Sequence, residues 1–335
     1  WPAGLAGLIA AGIGVSGGLG AVAMAVRARS LAGRGSWGTL AGGVFGLVSA
    51  GWWAYIAAAV VSWSTTGFAR GRQLRERGQL RFATVGPGDA WAPARAPREA
   101  ADPGALSVPD EVRAELAAAW RDNGRTEHAS VAAFARTSLE LIALGAPPEL
   151  LADASRDALD EIRHTELCFG LARALDGQAA SPGRFPEATT AGALSGGRTR
   201  RLIELAVVSL VDGALHEGLS ARVIAKLVRR CELEPIREVL RELAADEGRH
   251  AAHGWDVVEW CLAEGGVPVA IALRTAVDAL PASIDGPRPA AAIDGAWERY
   301  GIPGRALEQE QYALARAWLV DRVRARIAAV VAIAA

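Results

Sequence analysis

The sequence predicts an all-α protein: a four-helix bundle over residues 110–264, preceded by a transmembrane helical hairpin over residues 1–66. Three observations carry this. Four long segments with helical apolar spacing follow one another between Asp110 and Glu264. Glutamates and histidines recur inside them at intervals that amphipathicity alone does not require. Two uncharged, glycine-rich stretches, Ala3 to Val26 and Thr39 to Val61, stand ahead of them. Of the 335 residues, 51% are hydrophobic, and the excess is concentrated at the N-terminus.

Each uncharged stretch is long enough to cross a hydrocarbon core as a helix, and the connection from Arg27 to Trp37 is short and charged. Small residues such as Gly4, Gly7, Gly42 and Gly46 would weaken a helix in water, but they let membrane helices approach closely. Buried helices of a soluble domain and a processed signal are the competing readings. Arg70, Arg72, Arg75, Arg77 and Arg81 follow the second stretch, against Arg27, Arg29 and Arg34 between the two. The positive-inside tendency therefore places the bundle in the cytoplasm by a narrow margin. The chain starts at Trp1, which leaves an upstream segment open.

Residues 67–109 are rich in Arg, Pro, Ala and Gly and read as a linker. The first bundle helix is expected from Asp110 to Leu144, and the second from Pro148 to Leu175 after a turn at Gly145-Ala146-Pro147. A non-periodic piece, Gly177 to Gly197, separates this hairpin from a third helix over Arg198 to Arg230 and a fourth over Glu234 to Ala263. Gly265-Gly266 closes the fourth. Residues 265–335 form a helical extension; its apolar end, Ile327 to Ala335, can pack on the bundle, on another subunit of a homo-oligomer or at a membrane surface.

The candidate ligands are Glu127 in the first helix, Glu161 and His164 in the second, Glu217 in the third, and Glu247 and His250 in the fourth. In each E-x-x-H the two residues are three apart and share a helix face. Glu127 precedes Glu161 by 34 residues and Glu217 precedes Glu247 by 30, so the chain reads as two similar hairpins. The 53 residues from His164 to Glu217 allow a long crossover between them. Solvated salt bridging is the alternative, but apolar neighbours such as Val131 and Phe134 after Glu127, and Leu215 and Leu219 around Glu217, favour burial. Buried carboxylates need partners.

This one-Glu, E-x-x-H, one-Glu, E-x-x-H order resembles the ferritin-like di-iron carboxylate superfamily, over under half of the chain. The resemblance implies two iron ions held by Glu127, Glu161, His164, Glu217, Glu247 and His250, with manganese or a mixed pair as alternatives. It implies an oxidoreductase that reacts with O2 or peroxide on an unidentified small molecule or lipid. Non-enzymatic, membrane-associated metal binding or storage is the other reading.

The neighbours sharpen the expectation. Cys168 and Trp120 can share the inward faces of their helices, with core packing as the simpler role. His128 and His216 adjoin ligands in sequence and point away from them, and His253 is expected at the surface or in packing. Gly213 and Ala214, one turn before Glu217, are expected either to leave a small cavity beside the metals or to let helices pack closely. The tyrosines, Tyr55, Tyr300 and Tyr312, lie outside the ligand helices. No C-x-x-C pair occurs among Cys168, Cys231 and Cys261, which argues against a disulfide framework or a rubredoxin-like iron site. A formal charge of -1, with Lys226 the only lysine, offers no basic field for nucleic acid.

Overall fold

The computed structural model describes residues 71–76, 79–91, 106–185, 197–284 and 290–334. The expected membrane hairpin, residues 1–66, lies outside the described residues, as does much of the expected linker. Among the described residues, no helix is long and apolar enough to cross a membrane.

The described chain is mostly helical. Helix α1 (Asp110–Leu144) ends where Gly145 takes φ 74°, a left-handed conformation that costs glycine no Cβ clash. Helix α2 (Pro148–Asp176) begins with proline at its first position, where no backbone N–H is needed, and ends on Gly177, also at φ 74°. These stops make α1 and α2 an antiparallel hairpin closed by Ala146 N–H donating to the Leu141 carbonyl.

The expected third helix is a composite. Helix α3 (Arg198–Val208) runs into a π-helical segment, Ser209–Glu217, and continues as α4 (Gly218–Arg230). The π segment is wholly buried and ends on Glu217. Such wide turns often mark functional sites. Helix α5 (Glu234–Asp278) runs past the expected end at Ala263. Gly266 breaks its φ/ψ regularity with φ 56° and ψ −136°, and Pro268 then sits in the first turn of the continuation, where its missing N–H is harmless. A short helix α6 (Ala290–Ile293) precedes the long α7 (Arg305–Ala334), which packs against α4, the π segment and α5.

Two small antiparallel pairs complete the fold. Strand β1 (Arg75–Glu76) pairs with β2 (Gln79–Leu80), and β3 (Val85–Pro87) pairs with β4 (Ala180–Pro182). The second pair ties the expected linker to the loop after α2. Arg72 and Leu74 are buried against α1, where Leu74 packs with Ala129 and Ala133. Part of residues 67–109 is therefore a strap held on the bundle. The Arg and Gly content that reads as a spacer in sequence here supplies buried polar bonds and one left-handed turn, Gly71 at φ 77°.

The main core lies between the helices, with Trp120, Leu116, Leu167, Leu210, Val223, Leu240 and Val257 fully enclosed. Burial of each large apolar side chain stabilises the fold by about 1.5–3 kcal/mol. The glutamates and histidines sit in this interior together with other buried polar side chains such as Arg72, Ser130, Thr165 and Ser209.

Candidate metal centre

Glu127, Glu161, His164, Glu217, Glu247 and His250 have essentially no exposed surface. The structure brings them into two overlapping groups. Ligand atoms of Glu127, Glu161, His164 and Glu247 lie within 4.8 Å of one another, as do those of Glu161, Glu217, Glu247 and His250. Glu161 and Glu247 belong to both. Each group takes one single Glu, one His and the two shared carboxylates, so four helical segments contribute to one centre.

Among the described residues, most of the inward-facing polar atoms of this centre make no hydrogen bond. Both carboxylate oxygens of Glu127, Glu161, Glu217 and Glu247, and Nδ1 of His164 and His250, are buried without a hydrogen bond. Each unsatisfied buried polar group costs about 1–3 kcal/mol, and more when charged. A set of this size, aimed at one point, matches what metal cations satisfy. The buried Glu and His groups can thus hold a metal ion.

The far side of each imidazole is fixed by the opposite hairpin. His164 Nε2 lies 3.1 Å from Asp246 Oδ2, and His250 Nε2 lies 3.3 Å from Asp160 Oδ2. Each aspartate immediately precedes the E-x-x-H glutamate of its own helix. Arg249 bonds to both, at 2.5 Å to Asp246 and 3.1 Å to Asp160. With its outer nitrogen engaged, each ring presents Nδ1 to the centre, an orientation that carboxylate partners commonly impose on metal-binding histidines.

The electrostatics follow from burial and crowding. Burial lifts the Glu127 carboxyl well above its usual range, and the charges of Glu161 and Glu247 lift it further. Burial and the nearby Glu217 do the same to Glu247. Burial also lifts Glu217, against its contact with Glu247 and the Arg72 charge. Glu161 goes the other way. Burial pushes it up, but His164 and His250, with Nδ1 atoms at 3.6 and 3.2 Å, bring it down to about 2. Burial lowers His250, yet Asp160 and Glu161 outweigh it and raise the ring to about 10. His164 is likewise raised by Asp246 and Glu161 against burial.

The remaining candidates fall into place around the centre. His216 is buried with Nδ1 3.3 Å from Asp212, and His128 stacks on Phe185, so neither joins the ligand cluster. His253 is buried, its Nδ1 2.6 Å from Asp157 Oδ2. Asp157, Asp160 and His250 form a third compact group. Its oxygens already serve His253, His250 and Arg249, which makes it a support for the His250 ring. Trp120 and Cys168 are enclosed in the core.

Of the two expectations for Gly213, close helix packing is the one found among the described residues. A Cβ on Gly213 would lie 2.6 Å from Arg72 Nη2 and 3.1 Å from Gly254 Cα, and one on Gly254 would lie 2.7 Å from the Ala214 nitrogen. The absent side chains bring the π segment against α5 and make room for a guanidinium. Sequence reasoning missed Asp160, Asp246 and Arg72. The first two had a signal, since Asp160-Glu161-Ile162-Arg163-His164 and Asp246-Glu247-Gly248-Arg249-His250 repeat the pattern D-E-x-R-H. Compared with protein-family models, curated proteins and solved structures, the chain matches none of them.

Proposed function

We propose that the bundle binds two transition-metal ions in a ferritin-like arrangement and uses them in an oxidoreductase reaction with O2 or peroxide. In this reading Glu161 and Glu247, which belong to both groups, would help to hold both ions. Glu127 and His164 complete one coordination set, and Glu217 and His250 complete the other. The observation that supports it is the membership of Glu161 and Glu247 in both four-residue groups. Iron suits the mixture of carboxylate and imidazole donors, and manganese or a mixed pair shares the same preference.

When bound, such a pair supplies one-electron redox chemistry and a Lewis-acidic site for O2 or peroxide. The protein holds both imidazoles by their outer nitrogens, keeps Glu161 ionised, and buries all six side chains away from bulk water. The substrate class is a small molecule or a lipid. The uncharged runs Ala3 to Val26 and Thr39 to Val61 support attachment to a membrane, which brings lipophilic compounds within reach.

A second reading, metal binding without turnover, is favoured by the complete burial of the six ligands. Metal analysis of the purified full chain tests the common premise: two ions per chain are expected, and loss of both in a Glu161→Ala/Glu247→Ala double variant. A wild type well below two ions overturns the centre. Anaerobic loading with Fe(II), followed by O2 or peroxide, separates the two readings: oxidation coupled to an organic product supports the enzyme, and a loaded centre inert to both oxidants supports binding alone.

A further inference from the structure

Two residues of the strap lie against the lone glutamates of the centre. A Cβ on Gly71 would stand 2.9 Å from Glu127 Oε2, and the Arg72 guanidinium abuts Gly213, one turn before Glu217. The place of Arg72 is fixed. Ser130 Oγ donates to its carbonyl at 2.7 Å, and its Nη1 donates to Thr137 Oγ1 at 2.7 Å. Its guanidinium carbon stands 4.6 Å from the centroid of the Phe134 ring, which in turn lies 5.2 Å from the His250 imidazole. Only 1% of the residue is exposed, so the strap brings a buried cation to the Glu217 side of the cluster.

A guanidinium is a permanent cation. Arg75, three residues on, has Asp212 at 3.6 Å, whereas Nε and Nη2 of Arg72 make no hydrogen bond among the described residues, and neither do the oxygens of Glu217. Arg72 thus acts on the cluster as a charge held in place. Its pull on Glu217 is one of those that offset the effect of burial on that carboxyl. Repulsion between this cation and a metal ion in the same buried site is weakly screened by salt and grows in proportion to the charge of the ion. The four glutamates, once ionised, balance two divalent ions. The Arg72 charge is then one in excess, and each further positive charge on the ions adds to the repulsion.

We propose that Arg72 sets the charge preference of the centre: it favours divalent over trivalent ions, most strongly at the position of Glu217 and His250, and so holds a redox-active pair toward its reduced state. The inference rests on the metal-binding reading and assigns a role to a residue that is not a ligand. Comparing two valences isolates the charge. Packing lost with the side chain, and the help that Arg72 gives Glu217 to ionise, act on the binding of either ion alike, whereas Coulomb repulsion is stronger for the trivalent one.

The test uses the full chain in detergent, without oxygen, with chelator-buffered Mn(II) and Ga(III) as probes that keep their valence. Arg72→Met removes the charge and keeps the length of the side chain; it should shift the ratio of the two dissociation constants toward Ga(III) by about tenfold or more. Arg72→Lys keeps the charge and should hold the wild-type ratio. Arg72→Gln repeats the neutral measurement should the methionine variant fail to fold. With iron bound, the midpoint potential should fall in the neutral variants by about 59 mV or more, the same tenfold for one electron, and stay at the wild-type value in Arg72→Lys. An unchanged ratio in a folded neutral variant, or a lysine variant that behaves like the neutral ones, overturns the role of Arg72 while the two-ion centre stands. A wild type that binds fewer than two ions overturns the centre, and the charge preference with it.

Discussion

Asp160, on the second bundle helix, lies 3.3 Å from the Nε2 atom of His250 on the fourth, and Asp246 on the fourth lies 3.1 Å from Nε2 of His164 on the second. The two hairpins thus orient each other's imidazoles. Asp160→Asn and Asp246→Asn keep the side-chain shape and remove the charge that fixes each ring. Each should weaken metal affinity by about 10–100-fold while leaving the fold intact. Competition with a chromophoric chelator measures this, and unchanged affinity in both variants would remove the orienting role.

The exchange between hairpins was half legible in the sequence. The six glutamates and histidines stand out because E-x-x-H occurs twice, each preceded at a similar interval by a lone Glu, and helical periodicity puts all of them on inward faces. The ends of the first two helices were equally readable at Gly145 and Gly177, whereas the fourth only bends at Gly266 and continues to Asp278. The pairing of Asp160 with His250 was not, because it joins residues 90 apart and depends on how two helices cross. The π segment also escapes periodicity, since the way Leu210, Val211 and Leu215 alternate with Asp212, His216 and Glu217 does not distinguish a wide turn from an ordinary one. Residues 71–75 read as linker because a buried arginine has no sequence pattern of its own.

Metal binding should release protons. Glu127, Glu217 and Glu247 are all lifted well above the usual carboxylate range, chiefly by burial, so each is harder to ionise without metal and an ion must displace whatever protons they hold. His250, raised to about 10, must also lose a proton before Nδ1 can donate. Glu161, at about 2, enters already ionised. Each of these raised groups must be deprotonated to bind, so affinity rises with pH and falls as acid is added. Calorimetry of Fe(II) or Mn(II) binding in buffers of different ionisation enthalpy counts the protons; zero release would contradict the crowded, protonated centre.

Gly213 and Gly254 should be intolerant of even one methyl group, and unequally so. The Cβ of Gly213→Ala would meet the Arg72 Nη2 at 2.6 Å, the end of a side chain that can shift at the expense of its bond to Thr137. The Cβ of Gly254→Ala would meet backbone atoms, Ala214 N at 2.7 Å and Gly213 C at 2.9 Å, and these can yield only if the π segment moves. Overpacking of this kind costs about 1–3 kcal/mol, so Gly213→Ala is expected near the lower end and Gly254→Ala at or beyond the upper. Urea denaturation of both variants measures the order. The reverse order would mean that Arg72 is held more rigidly than the helix backbone.

The strap dictates where the chain can be shortened. A protein beginning at Asp110 would lose Leu74 from its contact with Ala129 and Ala133, and it would lose Arg72, whose carbonyl and guanidinium bond Ser130 and Thr137. It would also uncover Glu127, because Gly71 lies so close that a Cβ there would stand 2.9 Å from Glu127 Oε2. Removing a buried leucine's packing alone costs about 2–5 kcal/mol, a large fraction of a domain's net stability. A protein beginning at Gly71 keeps all of these contacts and discards both uncharged runs. The Gly71 version should therefore leave the membrane fraction after a carbonate wash that retains the full chain, and still bind metal to the full-chain stoichiometry. The Asp110 version should melt at a lower temperature and bind metal less tightly. Recovery of the full chain in the soluble fraction would sink membrane attachment, and equal stability of the two shortened forms would show that the strap adds nothing to the bundle.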